Sequence, residues 1–285
     1  MKLRQSERNK AKIKLALQGP SGSGKSYSGL LLAQGLTNGD FTKIAIIDTE
    51  NGSADLYAHI GKYNVLQLEK PHSPERYIEA IDVCIKAGVD VIVIDSISHC
   101  WEFLLDYHSS LAGNSFTNWG KITPRQKAFV DKILQSEVHI IATMRVKQDY
   151  VLSERNGKMV PEKVGLKAIQ RDEISYEFTV LFELDYRHFA TSSKDRTNLF
   201  EGRPQFIINS STGKKILQWC NSTTTIEGLT KMVYECKTIA ELTTIYNTNF
   251  DLAKSIEQEF VNMRRNIEQQ NINNRHHGNS SNQAI

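Results

Sequence analysis

The chain has 285 residues, of which 40% are hydrophobic and 24% are charged, so its composition is that of a globular protein rather than a disordered one. No apolar run approaches the roughly 18 residues of a membrane-spanning helix, and the basic N-terminus is not followed by the apolar segment of a signal peptide. The four cysteines lie far apart without metal-ligand spacing, and the formal net charge is only +3. We therefore expect a cytoplasmic protein without disulfides, a zinc site or a membrane partner.

Charge and hydropathy divide the chain into four predicted parts. Basic side chains dominate residues 1–11, and short apolar runs alternate with helical patterns over 12–221. Residues 222–267 carry apolar side chains at helical spacing, and 268–285 are rich in Asn, Gln and Ser. These patterns predict a solvated basic arm, a large core, a small helical appendage and a disordered polar tail.

Apolar runs in the predicted core are typical of buried strands. The first five are residues 13–17, 44–47, 65–68, 91–94 and 138–143. Helical patterns separate them, at residues 25–35, 74–88, 97–111 and 123–136. This alternation favours an α/β fold with a mainly parallel central sheet that is covered on both faces. Four further runs, at 178–184, 187–192, 205–209 and 215–219, predict an antiparallel extension of that sheet.

The clearest motif lies between the first predicted strand and the first predicted helix and has the form GxxxxGK[ST]. Its residues are Gly19, Pro20, Ser21, Gly22, Ser23, Gly24, Lys25 and Ser26, and Tyr27 follows directly. Glycines allow backbone N–H groups to surround a phosphate, and the start of the helix adds a positive dipole. A lysine at this position reaches the β and γ oxygens, and a serine hydroxyl ligates Mg²⁺. The motif therefore predicts a site for ATP with Mg²⁺.

Acidic residues end two of the predicted strands. Asp95 follows the run 91–94, and Asp48 and Glu50 follow the run 44–47. Because parallel strands end at the same edge of a sheet, we expect Asp95 to hold Mg²⁺ through water and Glu50 to polarise the water that attacks the γ-phosphate. Asp48 is a second candidate for the metal side of the site. The alternatives are a helix cap for Asp95 and a solvated turn for the pair after the other strand.

These motifs resemble the RecA-type recombinase ATPases over about residues 12–220. In that family the glutamate of a strand-end Asp-x-Glu is the catalytic base, and a tyrosine seven residues later stacks on adenine, which here implies Glu50 and Tyr57. The family also ends its next central strand in polar sensors of the γ-phosphate. Thr143 is the candidate sensor, although Ala142 and Thr143 stand where the family has Asn and Gln. The likeness is greatest to short phage-encoded RecA-like ATPases linked to recombination and single-strand annealing.

Two cations stand one residue apart on a late predicted strand, Lys194 and Arg196. The family uses such a pair to reach the triphosphate of a neighbouring subunit. The resemblance therefore implies a homo-oligomer, either a ring or a filament, in which these two side chains take part in catalysis. A solvated charged hairpin is the alternative.

Residues 146–171 are too polar and too long for an ordinary connection, and they predict a functional loop with six basic and three acidic residues. We expect this loop to contact the backbone of single-stranded DNA, with Tyr150 stacking on a base. A disordered surface loop is the alternative. Trp101 and Trp119 are predicted to fill space in the core rather than to stack on DNA. The basic residues of the predicted interface are Lys147, Arg155, Lys158, Lys163, Lys167 and Arg171.

Taken together, the sequence predicts a Mg²⁺-dependent RecA-like ATPase that acts on single-stranded DNA in phage-type recombination or annealing. A single-stranded-DNA-binding protein is a further candidate partner. Two alternatives stay open. One is a P-loop kinase of nucleotides or other small molecules, and the other is a nucleotide-gated interaction protein that hydrolyses ATP slowly.

Overall fold

The computed structural model describes residues 11–155, 158–221 and 226–280. The side chains of residues 148–164, 248, 251 and 271–280 are outside this description. The described residues fall into two compact units, one of residues 11–221 and one of residues 226–280. Among the described helices, none combines the length and the hydropathy that crossing a membrane requires.

The first unit is built on one large sheet. Its described strands are β1 (Lys14–Gly19), β2 (Ile44–Asp48), β3 (Asn64–Gln67), β4 (Val91–Asp95), β5 (His139–Arg155), β6 (Lys158–Ala168), β7 (Val180–Leu184), β8 (Phe189–Asp195) and β9 (Phe206–Ile207). The strand order is β3-β2-β4-β5-β1-β7-β8-β9, and β6 pairs only with β5. Neighbours from β3 to β7 are parallel, whereas β8 and β9 are antiparallel. The structure thus confirms the predicted α/β fold with a mainly parallel sheet and an antiparallel extension. The run 178–184 was wrongly assigned to that extension, because β7 pairs in parallel with β1.

Helices cover both faces of this sheet. They are α1 (Lys25–Leu36), α2 (Pro74–Lys86), α3 (Ser98–Ser110), α4 (Ser115–Gln135), α5 (Ile174–Glu177) and α6 (Ser210–Asn221). Tyr77 of α2 and Phe129 of α4 are buried in the core on one face, and Leu30 of α1 and Ile216 of α6 are buried on the other. Because both faces are covered, every residue of β2 and β4 is buried.

Two predictions about element type in this unit were wrong. Residues 215–219, predicted as a strand, belong to α6, where Ile216 and Cys220 are buried one helical turn apart. This helix packs closely on α1. The two backbones approach so closely at Gly35 that a Cβ there would overlap the carbonyl oxygen of Ser210. The predicted loop 146–171 is largely a two-stranded hairpin, in which β5 and β6 pair from Val146↔Ala168 to Arg155↔Lys158.

The second unit is helical, as predicted. It consists of α7 (Ile226–Glu235), α8 (Ile239–Thr248), α9 (Phe250–Ser255) and α10 (Glu257–Ser280) around a small apolar core. Phe260, Met263 and Ile267 place one buried side chain on each turn of α10. The helix then continues past residue 268, where we expected a disordered tail, because Glu268, Gln269 and Gln270 are good helix formers. Residues 281–285 and residues 1–10 of the predicted basic arm (1–11) lie outside the described residues.

Candidate nucleotide-binding site

The segment 19–24 connects the end of β1 to the start of α1 in the P-loop arrangement that the motif predicts. Gly22 and Gly24 have φ angles of 79° and 82°, in the left-handed region that glycine adopts without strain. A Cβ at Gly19 would lie 2.6 Å from the carbonyl oxygen of Leu184. The chain therefore needs glycine here to curl tightly between β1 and the neighbouring β7.

Lys25 begins α1 and folds back over the P-loop. Its Nζ donates hydrogen bonds to the carbonyl oxygens of Gly19 at 2.9 Å and Pro20 at 2.8 Å. Burial lowers the pKa of Lys25, and the nearby carboxylates of Asp95 and Glu50 oppose that shift. These neighbours place the ammonium group beside the two carboxylates that the sequence singles out.

Asp95 ends β4 beside the first helical residues after the P-loop. Its carboxylate accepts a hydrogen bond from the Thr143 hydroxyl at 2.5 Å and another from the Ser26 side chain. Burial raises the pKa of Asp95, while these two hydrogen bonds lower it. A serine hydroxyl next to a carboxylate is the oxygen donor set that Mg²⁺ prefers, so these residues fit the predicted metal. Thr143 lies against Asp95, and its role as a phosphate sensor stays a prediction.

Glu50 follows β2 and forms a two-pronged ion pair with Arg145 of β5. The distances are 3.0 Å from Arg145 Nε to Glu50 Oε1 and 2.7 Å from Arg145 Nη2 to Glu50 Oε2. Ser96 Oγ donates to Oε1 at 3.4 Å, and His99 Nε2 lies 3.8 Å from the same oxygen. Burial lowers the pKa of His99, whereas Glu50 acts to raise it.

The Asp48 carboxylate is held by backbone N–H groups after β2. Asp48 is fully buried, and its two carboxylate oxygens accept hydrogen bonds from the backbone N–H groups of Glu50 at 2.6 Å and Ala54 at 3.0 Å. It therefore fixes the turn that carries Glu50, and the structure does not support the second metal candidate.

Most of the predicted nucleotide-binding residues line one cavity of about 830 Å³. Its wall contains P-loop residues together with Lys25, Ser26, Tyr27, Glu50, Tyr57, Asp95, Arg145 and His188. Tyr57 ends the short 3-10 helix Ser53–Tyr57, and its ring lies 5.8 Å from that of Tyr27 in an edge-on arrangement. The two tyrosines thus form an aromatic wall beside the P-loop. Stacking of adenine on Tyr57 stays a prediction.

Sequence reasoning missed three residues at this site, Arg145, His99 and His188. His188 has a φ angle of 67°, and its Nδ1 would lie only 3.0 Å from a Cβ at Gly24. None of the three belongs to a sequence motif. The one available signal was the basic character of Arg145, two residues beyond the predicted strand 138–143, because Thr143 of that strand lies beside Asp95.

The predicted trans-acting cations lie elsewhere on the first unit. Lys194 Nζ donates to the carbonyl oxygens of Ser175 at 2.9 Å and Tyr176 at 2.5 Å, and Arg196 Nη2 donates to Tyr176 at 3.4 Å. Neither residue is part of the 830 Å³ cavity of its own chain. Their action on a neighbouring subunit stays a prediction.

A second cavity, of about 730 Å³, lies at the base of the β5–β6 hairpin. Three cations of the predicted DNA interface line it, Lys147, Lys167 and Arg171. Lys167 pairs with Asp172 at 2.7 Å, and Arg171 lies 3.8 Å from Glu173. The side chains of the other predicted contacts, Tyr150, Arg155, Lys158 and Lys163, lie outside the described residues.

Aromatic side chains also line this cavity. Trp101 and Trp119 stack with ring centroids 6.1 Å apart, and Phe116 is 85% exposed. Both tryptophans are only half-buried. They therefore line a cavity, whereas we expected them to fill the core.

Comparison with known proteins identifies a family and similarity to solved structures. The family model described as an AAA domain matches residues 11–227. The crystal structure of a KaiC-like protein from the hyperthermophilic archaeon Pyrococcus horikoshii OT3 is similar to this chain with a TM-score of 0.43 and 16% identity, over 72% of this chain and 87% of that one. No curated protein matches the chain.

Proposed function

Because this chain belongs to the AAA domain family, whose model matches most of its first unit, we propose that it binds ATP with Mg²⁺ in the 830 Å³ cavity and hydrolyses it. The convergence of Lys25, Glu50 and Asp95 on that one cavity carries the proposal. An ammonium, a metal-binding carboxylate and a basic carboxylate are the three groups that hydrolysis of a triphosphate needs.

In this proposal some residues of the site bind the nucleotide and its metal, and Glu50 transfers a proton. Backbone N–H groups of the P-loop bind the phosphates, and Lys25 exchanges its two carbonyl partners for phosphate oxygens. Ser26 and Asp95 would hold Mg²⁺, which would neutralise negative charge on the phosphates. Glu50 orients the attacking water and accepts its proton.

Replacing Glu50 by Gln tests this assignment. The amide keeps the size of the side chain but cannot accept the proton, so phosphate release should fall by about 10²–10⁴-fold while ATP binding is retained. The matched control is Glu75→Gln, which breaks an equivalent two-pronged pair with Arg125 outside the cavity and should leave the rate unchanged. Hydrolysis by the Glu50→Gln variant at the wild-type rate would exclude Glu50 as the base.

Single-stranded DNA is the substrate that the 730 Å³ cavity supports best. Its aromatic residues offer stacking surfaces, and Lys147, Lys167 and Arg171, which line the same cavity, supply positive charge. This combination of flat rings and cations suits a base and its flanking phosphates. Loss of affinity for a single-stranded oligonucleotide in a Lys147→Ala, Arg171→Ala variant tests the assignment, and unchanged affinity would reject it.

The finer biological role follows from the resemblance to short phage-encoded RecA-like ATPases. We infer that the chain acts on single-stranded DNA during recombination or annealing, alone or with a single-stranded-DNA-binding protein. In this proposal Lys194 and Arg196 exchange their partners on α5 for the triphosphate of a neighbouring subunit. The active form is then a homo-oligomer.

A further inference from the structure

The turn between β7 and β8 packs against the P-loop at both ends of the loop. At Gly19, the carbonyl oxygen of Leu184, the last residue of β7, lies 2.6 Å from the place of a Cβ. At Gly24, the nearest atoms to that place belong to the imidazole ring of His188, and its Nδ1 is the closest of them at 3.0 Å. Both close approaches are possible because glycine has no side chain. The turn therefore borders the predicted phosphate site.

Hydrogen bonds within this turn hold His188 in an uncommon backbone conformation. Its φ angle of 67° lies in the left-handed region, which few residues other than glycine adopt. The N–H of His188 donates to the carbonyl oxygen of Asp185 at 3.0 Å. Asp185 Oδ1 accepts hydrogen bonds from the backbone N–H groups of Arg187 at 2.8 Å and Phe189 at 2.9 Å. Backbone conformations of this kind persist where the surroundings fix them, and they are frequent at ligand-binding sites.

The imidazole ring of His188 has polar atoms to offer a ligand. In the part of the chain that the structure describes, neither ring nitrogen of His188 forms a hydrogen bond. The ring lines the 830 Å³ cavity together with Gly24 and Lys25. By contrast, Lys25 Nζ already donates to two carbonyl oxygens of the P-loop. A ring nitrogen that carries a proton is a hydrogen-bond donor, so His188 can bind an anion in the cavity without giving up another partner.

The order of the strands indicates which phosphate lies beside this ring. The P-loop follows β1, and β7 lies on the opposite side of β1 from β4 and β2. Glu50 and Asp95, which are proposed to act at the terminal phosphate, lie after β2 and at the end of β4. P-loop N–H groups surround the α- and β-phosphates, and the lysine directly after Gly24 reaches the β- and γ-phosphates. The phosphate closest to Gly24, and hence to His188, is therefore the β-phosphate.

We propose that His188 is a nucleotide-binding residue whose Nδ1–H donates a hydrogen bond to the β-phosphate. This inference rests on the proposed binding of ATP in the 830 Å³ cavity. ATP and ADP share the β-phosphate, so the contact stabilises substrate and product alike. It contributes to binding and not to the chemical step, and its loss raises KM without lowering the maximal rate.

The His188→Gly variant removes the ring at a φ angle that glycine adopts without strain. A hydrogen bond to a charged group of this kind corresponds to a loss of affinity of about 10-fold. We expect that loss for ADP and for ATP, whereas the affinity for AMP, which has no β-phosphate, should be unchanged. Displacement of a fluorescent ADP analogue measures the three affinities. The maximal rate of phosphate release should not fall.

The His188→Asn variant separates the hydrogen bond from the packing of the ring. Asparagine also adopts positive φ angles, and its amide nitrogen can lie near the position of Nδ1. This variant should therefore bind ADP more tightly than His188→Gly does. If His188→Gly does not fold, His188→Asp carries the test, because a carboxylate in the same place repels the phosphate and should bind ADP more weakly than His188→Asn.

The matched control is Tyr186→Gly in the same turn. Tyr186 is 71% exposed and is not among the residues that line the cavity, so all three affinities should stay at the wild-type level. Melting curves of all variants separate a loss of affinity from a loss of folded protein.

Unchanged ADP affinity in His188→Gly would overturn the proposal. An AMP loss as large as the ADP loss would also overturn it, because the ring would then contact the nucleoside or the α-phosphate. So would His188→Asn binding ADP as weakly as His188→Gly. Failure of the proposed function looks different, because in that case wild type itself binds neither ATP nor ADP.

Discussion

At the scale of single residues, two buried basic side chains mark the edge where β1 and β5 begin. Lys14 Nζ donates to the carbonyl oxygens of Ser136 at 2.7 Å and Val138 at 2.6 Å. His139 Nδ1 accepts a hydrogen bond from the N–H of Ile13 at 3.1 Å. Burial lowers the pKa of Lys14 to about 8 and that of His139 to about 3. His139 is therefore neutral in the folded protein at neutral pH.

This histidine should make the fold sensitive to acid. Between pH 6.5, its usual pKa, and about 3, the unfolded chain binds a proton at His139 that the folded chain does not. The free energy of unfolding therefore falls as the pH falls through that window, by up to about 1.4 kcal/mol per pH unit. A His139→Asn variant, which keeps a hydrogen-bond acceptor near Nδ1, should show a shallower dependence.

Urea unfolding of wild type and variant at several pH values between 6.5 and 4 measures this effect. The control is His59→Asn at an exposed histidine, which should leave the dependence as in wild type. Identical slopes for wild type and His139→Asn would show that His139 does not contribute to the acid sensitivity.

At the scale of elements, continuous apolar runs predicted the sheet well, and polar or mixed segments were predicted poorly. β2 and β4 are buried on both faces, so their sequences contain little but apolar residues until the terminal aspartate. α4 begins at Ser115, eight residues before the predicted start. Proline is typical of the first turn of a helix, but Pro124 lies inside α4. The apolar run 215–219 is too short for its length to distinguish a strand from a helix segment.

The β5–β6 hairpin was mistaken for a loop because neither of its strands reads as an apolar run. The Asn156-Gly157 pair in the sequence is a strong hairpin signal, and it was available from the sequence alone. Pairing of β5 with β6 fixes the backbone positions that carry the basic residues of this segment.

A salt titration measures the phosphate contacts proposed for the hairpin base. Each phosphate neutralised on a single strand contributes about −0.7 to the slope of log K against log salt. The Lys147→Ala, Arg171→Ala double variant should therefore bind single-stranded DNA with a slope shallower by about 1.4. The control is a Lys127→Ala, Lys132→Ala variant on α4, which should keep the wild-type slope. A double variant with the wild-type slope would place the DNA elsewhere.

At the scale of the whole molecule, the topology of the sheet made part of the site predictable. β1, β2 and β4 run parallel, so the P-loop, Glu50 and Asp95 end at one edge and line one cavity. Arg145, His99 and His188 come into the site through contacts between elements distant in sequence. No local pattern encodes such contacts, and only the basic residue beyond the strand of Thr143 offered a signal, for Arg145.

In the proposed homo-oligomer, the nucleotide site of a single chain is incomplete. Lys194 and Arg196 bind carbonyl groups of their own chain and do not line its nucleotide cavity. If they complete a neighbour's site, activity per molecule must rise as molecules assemble. Dependence on protein concentration is thus the direct sign of shared sites.

The rate of phosphate release from ATP and Mg²⁺ over a series of protein concentrations, with and without single-stranded DNA, tests the account most directly. We predict Mg²⁺-dependent hydrolysis that DNA accelerates and whose rate per molecule increases with concentration. The absence of phosphate release at every concentration, with DNA and without it, would contradict the account.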